Sequence, residues 1–423
     1  MLMRIRIQMF GVAGVGFFLA LSVCGMFFIS AAPAQDFQKV PIILRASDVL
    51  PSQLLKGSNY KVVETVKNDG FINTYELQTS FGNLMVESTV LLLIRINELK
   101  AIERMEQLKG TDVYLEALKK SATAPIRTAE GLVTKPIETS TGVVSGVGRW
   151  FSDVGRSIAS DDPHQAGVLK TATGQAATKR QFAYEFRVDP YSSFQPLQKG
   201  LDEIAMTAGA GGLTVKVAFM AIPGAAGTVV GFTGTAEDMK SLVRDKSPAE
   251  LNGINEKKLR QMGVSDSLAK VFLKNPNYGP QEETLLVGEL ASLSGVKDRA
   301  RFITAASLAN EESVALFMRL RAQLIAFYHS KIKAVASFVE ANRVPLVKTK
   351  DGTIVGIFPL DHVAWTSALA AKEKAISEDI QKMQGVKGKE LWIGGTVDPM
   401  ARSALEAKGW KVEEKFVERL LKK

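Results

Sequence analysis

An α+β fold with helices in the majority is what this sequence predicts, on three observations. Residues 35–110 alternate apolar and polar side chains between tight-turn signals, then change to a helical period. Residues 201–343 keep a helical period between well-marked starts and stops. Residues 344–423 mix both patterns. The expected organisation is therefore a small antiparallel meander packed on a helix (35–110), a connecting region rich in small and polar residues (111–200), a helical domain or bundle (201–343) and a C-terminal α/β module (344–423).

A secretory signal is expected to precede these modules. Arg4 and Arg6 supply positive charge, an apolar run extends from Met9 to Ile29, and Ala32-Pro33-Ala34 offers the small residues that a signal peptidase reads. Cleavage after Ala34 leaves Gln35 at the N-terminus and 389 of the 423 residues. The apolar run is also long enough to serve as an uncleaved anchor, but the small-residue site favours cleavage. Leu21-Ser22-Val23-Cys24 approaches a lipobox, with Val23 standing where a small residue is needed. Cys24 is the only cysteine and leaves with the signal. The mature chain then has no disulfide, thiol nucleophile or cysteine-based metal site. A cysteine-free exported chain of this length suits the periplasm or cell envelope of a bacterium.

Charge narrows the partners. The net +9 falls to +7 without Arg4 and Arg6, and the charges are spread along the chain. That balance suits an anionic membrane surface or another envelope protein. Nucleic acid is not an expected partner, because no basic stripe is interleaved with aromatics.

Taken in order, 35–56 reads as an extended lead-in with Pro41 and Pro51. Lys61 to Val66 alternates, Asn68-Asp69-Gly70 signals a tight turn, and Phe71, Tyr75, Leu77 and Phe81 share one face of the next strand. Gly82-Asn83 turns the chain into a third strand at Leu84 to Val86. Leu92, Ile96, Leu99, Ile102 and Met105 then form one helical stripe, which a sheet this small needs for its stability.

Within 111–200, Val143, Val147, Trp150, Phe151, Val154 and Ile158 fall on one helical face. Gly142, Gly146, Gly148 and Gly155 interrupt it, each costing about 1 kcal/mol relative to Ala. Such a helix needs a surface to fold against, either the protein's own core or a lipid interface. Val217 to Ala236 carries no charge and is long enough to span, although five glycines and prolines dilute it and Gly227 and Gly231 make a GxxxG spacing.

Ser247-Pro248-Ala249-Glu250 is a capping box, and Gly263 a stop. Helices are expected over Pro280–Ser294, Val296–Leu308 and, in one long run, Glu311–Ala341. Asp351-Gly352 marks a hairpin between Leu346–Lys350 and Thr353–Phe358. A helix from Asp361 to Met383, a strand at Glu390–Ile393, a helix opened by Asp398-Pro399 and stopped at Gly409, and a strand from Trp410 complete the module.

The search for chemistry returns little. His164, His329 and His362 lack metal-ligand spacing, so no metal is expected. Asp161-Asp162-Pro163-His164 reads as an acidic turn. Asp361-His362 reads either as a polar dyad or, more simply, as a helix cap. Gly394-Gly395, between a strand and a helix, offers an anion site or a plain turn. Gly209 and Gly211 begin a dinucleotide pattern that Thr214 breaks, so no cofactor is expected. There is no GxSxG. The acid pairs Glu282-Glu283, Glu311-Glu312 and Glu413-Glu414 read as solvated helix ends.

One stretch carries a local resemblance. Gly131-Leu132-Val133-Thr134-Lys135-Pro136-Ile137-Glu138, then Gly142-Val143-Val144-Ser145-Gly146-Val147-Gly148-Arg149-Trp150-Phe151 and Val154-Gly155, is similar to the glycine-punctuated amphipathic motif near the C-terminus of the vacuolar-protein-sorting family of bridge-like lipid-transfer proteins. The resemblance implies that Val147, Trp150, Phe151 and Val154 insert at a lipid interface. It covers fewer than 30 residues, and the family's long lipid groove has no counterpart here.

The functional expectation is an exported, non-enzymatic envelope protein that associates with a membrane surface or a partner through Val143, Val147, Trp150, Phe151, Val154 and Ile158. Two alternatives stand beside it. One is membrane insertion through 205–236. The other is an enzyme of unrecognised class, with a polar site at Asp361, His362, Gly394 and Gly395.

Overall fold

The turn signals set the first sheet. In the computed structural model, which describes residues 37–121, 145–153, 173–220 and 235–421, the lead-in supplies strand β1 (Ile42–Arg45), a short helix α1 (Ala46–Val49) and a single 3-10 turn at Ser52–Leu54. Strands β2 (Tyr60–Val62), β3 (Thr65–Asn68), β4 (Asn73–Thr79) and β5 (Gly82–Glu87) follow. All pairings are antiparallel. β1 pairs with β3; β3 and β2 share one edge of β4, and β5 takes the other. Gly70 and Gly82 sit at φ +97° and +107°, the left-handed region that the two turns require. The signal segment 1–34 lies outside the described residues, as do Val143, Val154, Ile158 and His164.

Helix α2 (Thr89–Lys109) buries the whole expected stripe of Leu92, Ile96, Leu99, Ile102 and Met105. With α3 (Asp112–Ser121), α5 (Thr173–Phe186) and α6 (Gln195–Gly211) it encloses one hydrophobic core under the first sheet. Phe81, expected on the inner face, is 48 % exposed because it falls in the β4–β5 turn. Between α3 and α5 comes the short α4 (Gly146–Asp153).

After α6 come α7 (Val215–Met220), α8 (Thr235–Asp245), α9 (Pro248–Gln261), α10 (Asp266–Leu273), α11 (Pro280–Ser292), α12 (Ala300–Ala306) and α13 (Glu312–Lys331). Ser247 and Glu250 form the expected reciprocal capping box on α9. The long helix is shorter than its apolar spacing predicts. α13 ends at Lys331, where the Ile332 and Lys333 amides both return to Tyr328 O and His329 Nδ1 accepts from the Val335 amide. Val335 and Val339 belong to strand β6 (Val335–Ala341), where their branched side chains pack favourably.

The C-terminal sheet runs β12-β10-β8-β7-β6. β6, β7 (Val344–Thr349) and β8 (Thr353–Phe358) form an antiparallel meander, with Gly352 at φ +92° in its second turn. Helix α14 (Ser367–Gln381) carries the chain to β10 (Gly388–Ile393), parallel to β8. Helix α15 (Pro399–Ala407) carries it to β12 (Trp410–Glu413), parallel to β10, and α16 (Phe416–Leu421) closes the described chain. The helix expected from Asp361 begins six residues later. Residues 362–363 form β9 (His362–Val363), which pairs with β11 (Thr396–Val397), and Thr366 is the true cap. A second core joins this sheet to α9–α13. It also contains Phe71 and Ile72 from the turn between β3 and β4, and Val147 and Trp150 from α4.

Candidate functional site

The four polar candidates from the sequence meet in one place, but their hydrogen-bonding groups are already engaged. Asp361 does not face the His362 ring. Its carboxylate accepts from the Asn73 amide (2.9 Å) and the Thr89 amide (3.1 Å), and so caps α2 from a distant part of the chain. Burial pushes this carboxyl up to about 6, against the pull of those amides. His362 Nδ1 lies 2.8 Å from Thr396 Oγ1. The amides of Gly394 and Gly395 donate to Phe358 O and Leu360 O, which leaves no anion-binding amides there. A Cβ on Gly395 would stand 2.0 Å from Asp361 O, so close backbone approach explains the glycine. This cluster is the seam where the Asn68–Asn73 turn plugs into the C-terminal module.

Helix α4 is likewise committed inward. The Ser145 amide and hydroxyl donate to Asp69 Oδ2 (2.9 and 2.6 Å), the Gly146 amide donates to Glu87, and Arg149 grips both oxygens of Glu311. Trp150 is 6 % exposed and its ring lies 5.8 Å from that of Phe317. The surface that Val147 and Trp150 fold against is therefore the protein's own core, which corrects the lipid-contact expectation for these two residues. The side chain of Phe151, with Val143, Val154 and Ile158, lies outside the described residues.

The acid pairs depart furthest from their expected role as solvated ends. Glu311 holds Arg149; Glu414 bonds Arg402 and the Val397 amide. Glu283 is buried and its carboxyl is pushed up to about 8 by desolvation. Glu282 and Glu312 line a cavity of about 630 Å³, bounded by α2, α8, α11, α13 and the loop that follows α5. Sequence reasoning passed over this cavity.

Its floor is built from local turn chemistry. After α5, Arg187 turns the chain at φ +56°. Asp189-Pro190-Tyr191-Ser192 then forms a tight turn: Asp189 Oδ1 accepts from the Tyr191 amide (2.8 Å), and Asp189 O accepts from the Ser192 amide. Ser192 donates to Glu98 Oε1, and Arg95 bonds Glu98 Oε2 at 2.6 Å and Ser193 Oγ at 2.9 Å. Ser193 in turn donates to Glu312 (2.7 Å). On the opposite wall Arg319 donates to Glu282 (2.6 Å) and Gln323 (3.1 Å).

Asp189 and Glu289 stand outside these pairs. Glu289 is 5 % exposed and its carboxyl has no hydrogen-bond or ion-pair partner among the described residues; burial pushes it up to about 7, with Arg319 opposing. Asp189 engages only Oδ1, and burial followed by the charge of Glu282 pushes it up to about 8. Burial lowers Lys240 on the same wall. Burial raises the Tyr191 hydroxyl, with Arg180 beside it opposing. Gly279 borders Asp189: a Cβ there would stand 4.0 Å from Oδ2 and 3.7 Å from Tyr191 Cβ. Near neutral pH the cavity thus presents carboxyls that give or take a proton, beside others fixed in ion pairs.

No known protein family, curated protein or solved structure matches the chain. The reading of function rests on this geometry. Among the described residues no group of His, Cys, Asp and Glu could hold a metal ion, and no helix is long and apolar enough to cross a membrane. Of the segment 205–236, residues 205–211 lie in α6 with Ala205 and Ala208 buried, and 221–234 lie outside the described residues.

Proposed function

We propose that this is an exported cell-envelope protein, released by cleavage after Ala34, that holds a small polar molecule in the cavity between α2, α8, α11 and α13 and binds it without transforming it. One observation carries the binding reading: Glu289, almost wholly buried, has no partner of its own in a cavity of metabolite size. An uncompensated buried carboxyl is costly, and a bound ligand supplies the missing contact. Ser192 and Ser193 are the hydroxyls beside the acids, and both are spent on holding Glu98 and Glu312, which favours binding over nucleophilic chemistry. In this reading the helices of 201–343 act as a bundle that gives the cavity rigid walls.

The test is native mass spectrometry and thermal shift on the mature protein against a small-molecule panel, with Gly279→Leu as the filled-cavity control. Gly279 has φ −80°, so a side chain is accepted there, and it would enter the space beside Asp189. Ligands are expected to stabilise the parent and to lose that effect in Gly279→Leu. An equal response in both would remove the cavity from the reading.

A second reading, association with an anionic membrane surface, is favoured by α3 in place of α4. Leu115 and Leu118 lie one turn apart and are 42 % and 45 % exposed, beside Lys119 and Lys120. Leu115→Ser with Leu118→Ser is expected to weaken binding to vesicles containing phosphatidylglycerol if this surface is used. Unchanged binding would sink it.

A further inference from the structure

We propose that the cavity takes a small organic ammonium ion, with Asp189 and Glu289 as its counter-ions; the inference rests on the cavity being a binding site. The argument is one of charge inventory. Two cations of the wall are already held by protein acids: Arg95 by Glu98 and Glu312, and Arg319 by Glu282. Among the described residues Asp189 and Glu289 lie within salt-bridge distance of no cation, and Asp189 Oδ2 accepts no hydrogen bond. A cation entering this space completes two carboxylates that the fold leaves without a counter-ion. An anion would meet them as like charges once they ionise. Tyr191 and Tyr278 add aromatic wall, which attracts an ammonium through the ring face. A metal ion is a poorer occupant, since no three ligands converge among the described residues.

Binding is then coupled to proton release. The groups facing Asp189 are Arg95 and Glu98 on α2, Glu282 on α11 and Glu312 on α13. The charged group that acts on Glu289 is Arg319 on α13. Both acids hold protons into the neutral range, Asp189 to about 8 and Glu289 to about 7. An ammonium binds their ionised forms, so affinity rises with pH until both are ionised, and it falls only when the amine itself deprotonates near pH ~10.

The experiment is isothermal titration of the mature protein with n-butylammonium, the putrescine diammonium and the neutral n-butanol, at about pH 6 and about pH 8.5, in buffers of different ionisation enthalpy. The ammonium ions are expected to bind at least roughly tenfold more tightly at the higher pH, with buffer-dependent heat that reports proton release. Asp189→Asn and Glu289→Gln should each weaken binding about tenfold or more and flatten the pH profile. Gly279→Leu should abolish it, with Gly279→Ala as the milder control. n-Butanol binding as tightly as the ammonium ions, and lost in Gly279→Leu, overturns the ammonium inference and leaves the cavity reading standing. Ammonium binding undiminished in Gly279→Leu overturns both, and absence of ammonium binding overturns the inference.

Discussion

Asp189 shows how a residue's environment outweighs its sequence context. Nothing in Val188-Asp189-Pro190-Tyr191 announces more than a turn, and a turn is what it makes; the side chain becomes notable only because α2, α11 and α13 close over it. Its stability consequence has a definite sign. An acid whose folded pKa is raised to about 8, against an unfolded value of about 3.9, keeps a proton in the folded state that the unfolded chain releases. Stability is therefore full below about pH 4 and is lost as pH rises through that window toward about 8. Asp189→Asn cannot ionise and removes this loss. The melting temperature of the variant relative to the parent should climb by several degrees between about pH 5 and pH 9. Melting curves that shift in parallel across that range would mean that Asp189 is ionised in the fold at neutral pH.

At the scale of elements, legibility followed local chemistry. The Ser247–Glu250 capping box, Asp398-Pro399, and the glycines at 70, 263, 352 and 409 each mark a boundary the structure keeps, because caps and left-handed turns are decided within a few residues. The failures lie where tertiary contacts decide. Ile332, Val335 and Val339 continue a helical spacing, yet the chain leaves α13 at Lys331 to enter a sheet completed by β7 and β8. Helix α4 is the clearest case, for an amphipathic face looks alike whether it meets lipid or core. Its burial against Phe317 predicts that Trp150→Ser costs about 3–5 kcal/mol of stability through the cavity it leaves, seen as a lower urea midpoint. A variant that kept its midpoint and lost only liposome binding would return α4 to the membrane.

The whole molecule depends on contacts between segments that the sequence separates by nearly 300 residues, and these no pattern reveals. Asn68 Nδ2 reaches His362 O, Phe71 O accepts from the Asp361 and His362 amides, and Asp361 returns the tie to Asn73 and Thr89. The cavity arises from the same long-range assembly, since its acids come from α2, α5, the 189–193 loop, α8, α11 and α13. This explains why Asp361, His362, Gly394 and Gly395 could be singled out by local pattern and the cavity acids could not. Asp361 is the tie whose removal is most informative. Asp361→Ala orphans two buried amides and uncaps α2, and should cost about 2–4 kcal/mol, whereas Asp361→Asn keeps one acceptor and costs less. Because Asp361 belongs to the seam and not to the cavity, an ammonium ligand should still bind Asp361→Ala at temperatures where it remains folded. The proposed export gives a second whole-molecule expectation. Fractionation of cells making the untagged chain, with an alkaline carbonate wash and an intact mass, should return a soluble periplasmic species beginning at Gln35. Carbonate-resistant material with the same start would show that part of 205–236 inserts into a membrane. The rigid walls proposed for the cavity would then have to form beside a bilayer, and ligand binding would depend on lipid, which titration in detergent-free buffer and in vesicles separates.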